Sequence, residues 1–264
     1  IHHAWIVGKF STRNPRQEVE LAEIVGEELH HVSLGHRMSG HLNFPRRIAT
    51  TYLNESIWDI HQRFVGEVLH FVHARGIDVP IYILKADGGT IEISQSVDFP
   101  VQTILSGPAA SIMGIMTTTG CASDAIALDI GGTTTDIALF ADGVPLFEAF
   151  GVTIEGHKTL IRGLKTRSVG IGGDSVIRLN NGKISIGPQR EGVAAALGGP
   201  FPTPTDAMVV LGMASLGDPE KAADSLAPIA ETWRCPIVEA AGKVFEETCR
   251  IIVDHVRTFI NEIN

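Results

Sequence analysis

Two apolar runs, Ala125-Ile-Ala-Leu-Asp129 and Thr135-Asp-Ile-Ala-Leu-Phe140, flank Gly131-Gly132 and a row of threonines. Each run is short and alternates or clusters apolar residues as a strand does, and the paired glycines mark a tight turn between them. Asp142-Gly143 followed by Val144 to Phe150 adds a third strand, so this stretch reads as an antiparallel meander. Helical periodicity surrounds it. Asn14-Pro15 precedes a helix from Glu18 to Leu29, and Phe44 onward places Ile48, Tyr52, Ile57, Ile60, Phe64, Val68 and Phe71 on one apolar stripe until Arg75-Gly76. Ser106-Gly-Pro108 opens a helix with small surface residues, able to approach another backbone closely. Asp206 to Leu211, a segment around Glu220, and Ile237 to Ile260 complete the helical set. Trp5 to Val7 is a short apolar entry, short strands are expected at His31 to Gly35 and Val79 to Leu84, and a tight hairpin at Asn180-Asn-Gly182. The chain is therefore read as α/β.

At 264 residues and 44% hydrophobic, it can bury a sizeable core. A net charge of -9 without a Lys or Arg run argues against a nucleic-acid groove and for small-molecule or protein partners. The 3 cysteines, Cys121, Cys235 and Cys249, form neither a disulfide framework nor a metal knuckle, which points to a reducing, cytoplasmic compartment. No apolar run reaches the roughly 18 to 20 residues needed to span a bilayer, so no membrane association is expected. The start, Ile1-His-His-Ala-Trp5, has no methionine and enters structure abruptly, as a piece of a longer polypeptide would.

The glycine turn carries the chemistry. Without a Cβ in the way, its amides can approach an anionic oxygen, and Thr133, Thr134 and Thr135 add hydroxyl donors. Asp129 cannot bind phosphate directly but can hold Mg²⁺ or its waters. The bland alternative is a hairpin whose glycines and threonines are purely structural. The 11 histidines include His36/His41 and His70/His73 at half-site spacing, yet no second pair matches them, so zinc is disfavoured. Asp206 in Pro204-Thr-Asp is read as a helix cap ahead of a metal ligand.

Asp129-Ile-Gly-Gly-Thr-Thr-Thr-Asp136 resembles a phosphate motif of the actin, sugar kinase and heat-shock chaperone ATPase superfamily. Further segments resemble one branch, the hydantoinase/oxoprolinase A-type proteins: Leu84-Lys-Ala-Asp-Gly-Gly89, Thr103-Ile-Leu-Ser-Gly-Pro-Ala109, Ser168-Val-Gly-Ile-Gly-Gly-Asp-Ser175 and Pro204-Thr-Asp-Ala-Met-Val-Val-Leu-Gly212, in the expected order. The resemblance implies a ribonuclease H-like, actin-like fold of mixed sheets flanked by helices. Residues 1–100 would be the closing part of a first subdomain and 101–264 a second one bearing the phosphate hairpin. It also implies a second hairpin near the family's N-terminus, which this chain does not contain, so the isolated fragment is expected to be inactive. The implied cofactors are ATP and Mg²⁺. Asp129, Gly131, Gly132 and Thr133 to Thr135 would hold phosphate and metal, with Asp129 the metal ligand and Gly170, Gly172 and Gly173 a second glycine-rich wall. The sequence departs from the family after Ile186-Gly-Pro188, and at Asp174, where a third glycine is usual. Asp174 either binds metal or caps a turn.

The implied activity is ATP-dependent hydrolysis of a cyclic amide such as a hydantoin or 5-oxoproline, or a related carboxylation, with a possible second hydantoinase-type subunit. A small-molecule kinase using Asp136 or Asp174 as the catalytic acid–base group, and a regulatory nucleotide-binding module without turnover, stand as alternatives.

Overall fold

The computed structural model describes residues 2–263. In chain order its elements are β1 (His3–Ile6), α1 (Arg16–Gly26), β2 (His31–Leu34), α2 (Gly35–Met38), α3 (Phe44–Ser56), α4 (Trp58–Ala74), β3 (Tyr82–Leu84), β4 (Thr90–Glu92), α5 (Ile93–Ser96), α6 (Ser106–Thr119), β5 (Ala125–Ile130), β6 (Thr135–Ala141), β7 (Val144–Pro145), β8 (Thr153–Ile154), β9 (His157–Lys158), β10 (Thr166–Val169), β11 (Ile177–Asn180), β12 (Lys183–Ile186), α7 (Pro204–Val210), α8 (Pro219–Trp233) and α9 (Ile237–Asn261). They form two compact units. The first takes the described residues up to Ala125 together with Leu139–Lys165, and the second Ile126–Ala138 with Thr166 onward. No helix among the described residues is long and apolar enough to cross a membrane.

In the first unit, β1 and β2 pair in parallel, with His3 opposite His31 and Ile6 opposite Leu34. A second core gathers Ala86, Val101, Val152 and Ile161, against which Met38, Leu53, Ile104 and Ile154 pack. The single helix expected from Phe44 to Arg75 is two helices, broken at Ile57 (φ -106°, ψ 0°), which ends α3 and begins α4. The apolar stripe read as the core face lies largely at the surface, with Ile60 63% and Phe71 54% exposed, whereas α3 buries Arg47, Thr50, Thr51, Asn54 and Glu55. Periodicity alone registers apolar side chains; it does not register a core built from hydrogen-bonded polar groups.

That polar core is closely bonded. The Arg47 guanidinium donates to the carbonyls of His41, Gly8 and Lys9 at 2.7 to 3.0 Å. Asn54 donates to Ser33 Oγ and accepts from the Val101 amide. Glu18 accepts the amides of Gly8 (2.6 Å) and His36 (2.9 Å), and its Oε2 lies 2.6 Å from His36 Nδ1. Glu55 sits between His3 Nδ1 and His31 Nδ1, both at 2.8 Å. Burial pushes both carboxyls up, but hydrogen bonds from Ser11, Gly8 and His36 to Glu18, and from His31, Ser33 and His3 to Glu55, more than offset it, and both end below the ordinary glutamate value. His3 is raised, chiefly by its bond to Glu55.

The expected small-residue helix is α6, but a Cβ on Gly107 or Gly114 would meet nothing within 4 Å, so the close approach those glycines permit is not made among the described residues. The third meander strand shortens to Val144–Pro145; beyond it the Leu146 amide still donates to the Leu139 carbonyl at 3.0 Å, and Phe147 makes an isolated bridge to Leu164.

In the second unit, β10, β6 and β5 lie side by side. β10 runs antiparallel to β6, pairing Ser168 with Asp136 and Val169 with Thr135. β11 and β12 form the expected hairpin about Asn181-Gly182, both at positive φ. The helices α7, α8 and α9 pack together around fully buried Ala207, Ala222, Leu226, Ala240, Ala241 and Val244. The alanines are small enough for the helix axes to approach closely.

The buried glutamates and His3 define a stability window for the first unit. A lowered carboxyl contributes stability that is full above the ordinary 4.5 and lost as pH falls through the folded value. A raised imidazole contributes stability that is full below 6.5 and lost as pH rises through its folded value. Thermal denaturation followed across pH is therefore expected to peak between these values, and Glu55→Gln should flatten the acid side of the profile; an unchanged profile in that variant would contradict the assignment.

Candidate functional site

Four residues join β5 to β6. The Gly131 amide donates to the Thr134 carbonyl at 2.9 Å and closes the bend, while the carbonyls of Gly131 and Gly132 accept the amides of Gly173 (2.9 Å) and Asp174 (2.7 Å). Fully buried Thr135 donates its hydroxyl to the Ile171 carbonyl at 2.7 Å. Thr205, in the first turn of α7, donates both its amide (2.9 Å) and its hydroxyl (2.7 Å) to the Gly173 carbonyl. The hairpin, the loop after β10 and the start of α7 are thus laced by backbone hydrogen bonds.

Glycine is dictated by the closeness of these strands of chain. A Cβ at Gly172 would lie 2.5 Å from the carbonyl oxygens of Gly131 and Gly132, and one at Gly132 would lie 2.6 Å from Asp174 Oδ2. Gly173 would meet Thr205 Oγ1 at 2.6 Å. Gly170 has a different neighbour, Pro188, whose Cβ would be 2.8 Å away, and it lines a separate cavity with Ile186 and His255.

The lacing sorts the candidate residues. Gly131 spends its amide within the bend and Thr135 spends its hydroxyl on Ile171, so both shape the hairpin. Among the described residues the amides of Gly132 and Thr133 make no hydrogen bond, and Thr133 is exposed. These are the donors available to an anion. Asp129 is exposed near the end of β5. Asp136 Oδ1 is buried with no hydrogen-bond partner, an oxygen that suits a cation or its water. Asp174 is ion-paired to Arg190 at 2.8 Å, and Arg190 also donates to Thr133 Oγ1 at 3.2 Å.

Arg190 was not legible in the sequence. It follows the point where the family pattern fails, and no spacing marks it; only the fold brings its guanidinium over Thr133. Asp206 is fully buried, and its carboxylate accepts the amides of Ala195, Ala196 and Thr203 and the Thr203 hydroxyl, at 2.7 to 3.0 Å. It completes a capping box with Thr203 and ties down the turn at Ala195–Leu197. Its lone pairs are committed to structure. The described residues contain no group of three or more His, Cys, Asp or Glu able to hold a metal. Magnesium asks less than that: one or two carboxylates, waters and the phosphate oxygens suffice, and the glycine cradle and the orphaned Asp136 oxygen fit such a group.

The sequence profile described as hydantoinase/oxoprolinase matches residues 47–262. The chain belongs to the hydantoinase/oxoprolinase family. Among its relatives, the acetophenone carboxylase gamma subunit of Aromatoleum aromaticum is 27% identical over 220 residues, covering 77% of this chain and 30% of that protein. The 5-oxoprolinase of Saccharomyces cerevisiae is 28% identical over 191 residues, covering 69% of this chain and 14% of that protein. In architecture the chain is similar to the nucleotide-free structure of acetone carboxylase, with a TM-score of 0.81 at 23% identity, covering 98% of this chain and 40% of that one. The ATP-dependent caprolactamase from Pseudomonas jessenii superimposes with a TM-score of 0.74 at 22% identity, again over 98% and 40%. The chain thus spans less than half the length of each.

Gly172→Ala should destabilise the second unit by about 1–3 kcal/mol through overpacking against the two carbonyls, lowering the thermal midpoint by several degrees, whereas Gly114→Ala, with open space around it, should not. Equal midpoints for Gly172→Ala and the parent would contradict the close approach.

Proposed function

We propose that the protein containing this chain uses ATP to activate a carbonyl oxygen, and that its substrate is a cyclic amide of the hydantoin or 5-oxoproline type. The observation that carries this reading is the hairpin whose carbonyls are pinned by the 172–174 loop while the Gly132 and Thr133 amides stay unbonded, with Arg190 beside them. It is supported by membership of the family and by likeness to relatives named as a 5-oxoprolinase and an ATP-dependent caprolactamase. We further read the fold as ribonuclease H-like, with 1–100 from a first actin-like subdomain and 101–264 a second.

An amide carbonyl is a poor electrophile. Transfer of the γ-phosphoryl group to its oxygen, with release of ADP, makes the carbon electrophilic. Water adds to that carbon, the C–N bond breaks as the nitrogen takes a proton, and the acyl phosphate so formed is hydrolysed by a second water to carboxylate and phosphate. The chain's task is positioning and charge neutralisation. Gly132 and Thr133 would donate amide hydrogens, and Thr133 its hydroxyl, to phosphate oxygens. Arg190 holds Asp174 and Thr133 together, and with a nucleotide present its guanidinium can turn to the added negative charge. Asp129 and Asp136 are the carboxylates that would hold Mg²⁺, which when bound supplies neutralisation of the transferring phosphoryl group. Asp136 pairs across from Ser168 on β10, and its buried, unpartnered Oδ1 supports the reading.

The likeness to two carboxylases favours a second reading, ATP-dependent carboxylation of a ketone, which begins with the same activation of a carbonyl oxygen. Product analysis separates the two: ring-opened acid and phosphate from a cyclic amide, or bicarbonate-dependent acid from a ketone.

In the full-length protein with any partner subunit, Thr133→Val is expected to lower kcat/KM for ATP by roughly 10- to 100-fold, about 1.4–2.7 kcal/mol, and Asp129→Ala by more, with thermal midpoints little changed. ATP turnover that survives both substitutions would remove the hairpin from the chemistry.

A further inference from the structure

We infer that the first unit carries a binding site for a small organic carboxylate, in a cavity of about 640 Å³ beside the start of α3. The volume falls within the range of small-molecule sites. Leu42, Phe147, Phe150 and Leu160 supply apolar wall, and Arg46 and Arg162 supply charge. The combination of hydrocarbon surface and guanidinium is what a carboxylate with an apolar body requires.

The charge is uncompensated. In a chain of net charge -9, neither Arg46 nor Arg162 has a salt-bridge partner among the described residues, and Glu148 is the one acid lining the cavity against these two guanidiniums. By contrast, in the adjoining cavity of about 150 Å³ that Arg162 and Leu160 also line, the cation Lys85 has a carboxylate, Asp87, at 3.5 Å. Arg162 stands over the Phe147 ring, its Cζ 5.4 Å from the centroid, a cation–π contact that uses none of its N–H donors.

The walls are also held in advance. Arg46, one turn into α3 behind the Asn43 cap, donates through Nη1 to the carbonyls of Phe150 (2.5 Å) and Thr159 (3.2 Å), keeping the 147–151 loop against the helix. Gly151 turns at φ +98°, where a Cβ would strike the Thr159 carbonyl at 2.4 Å. Glu148 donates its amide to Gly163, and Val152 donates to Ile161. Phe150 is nonetheless 79% exposed, a large ring left on a fixed loop at the rim of a cationic cavity. Fixed walls lower the ordering cost of binding. A phosphate ligand fits less well, since the lining pairs hydrocarbon with guanidinium and a phosphate has no apolar body to use it.

The assignment does not rest on the nucleotide reading, and it is tested without ATP. Benzoate, its neutral isostere benzamide, and inorganic phosphate are titrated into the full-length protein by calorimetry. Benzoate should bind saturably and at least tenfold tighter than benzamide or phosphate, and Arg162→Gln, which removes no hydrogen bond of the fold, should weaken benzoate at least tenfold with an unchanged thermal midpoint. Arg46→Lys should weaken it less. Absence of saturable benzoate binding, equal binding of benzamide, phosphate binding as tight as benzoate, or unaltered affinity in Arg162→Gln would each overturn it.

Discussion

The approach of the Gly172-Gly173-Asp174 backbone to the Gly131-Gly132 bend is the constraint on which the second unit's site depends. Two carbonyls that would otherwise need solvent are satisfied by amides of the loop at 2.9 and 2.7 Å, and no side chain larger than hydrogen fits at residue 172, where a Cβ would lie 2.5 Å from both carbonyl oxygens. Satisfying the carbonyls has a directional effect. The peptide planes of the bend are fixed by their oxygens, and so the free amides at 132 and 133 are fixed as well. An anion site made this way needs little reorganisation when it is filled.

Charge around the bend follows from the same lacing. Asp174 enters because its amide is used by Gly132, and its carboxylate then draws in Arg190, which reaches Thr133. The pair is half-exposed and adds little to stability. Its interest lies in function: a cation is stored next to a hydroxyl and two unbonded amides, with an unsatisfied carboxylate oxygen at Asp136 in the same hairpin.

Much of this was legible in the sequence, for local reasons. The strands at 125 and 135, the Asn181-Gly182 hairpin, the Pro-led helices and the long apolar face of α9 all follow from turn chemistry and period. Asp206 was legible as a helix-start residue from the preference of Asp for such positions, but the cap itself is Thr203, with Asp206 inside the first turn completing the capping box. What escaped was long-range. The Ile57 break, the polar core around Arg47, Glu18 and Glu55, and the position of Arg190 depend on partners 10 to 57 residues away. A stripe such as Ile60, Phe64 and Phe71 on α4 looks like core by spacing, yet it lies exposed while α4 buries His61 and Val65.

The first unit shows the same logic with opposite chemistry. There, arginines hold backbone carbonyls and leave a cationic, aromatic cavity, while histidines hydrogen-bond to buried glutamates. The central claim remains the hairpin, and hydrogen exchange tests it most directly. In the full-length protein, the peptide spanning residues 129–136 should exchange at least tenfold more slowly with saturating Mg·ATP analogue than without, as the amides of Gly132 and Thr133 take up phosphate oxygens. Identical exchange with nucleotide demonstrably bound would show that the anion is held elsewhere.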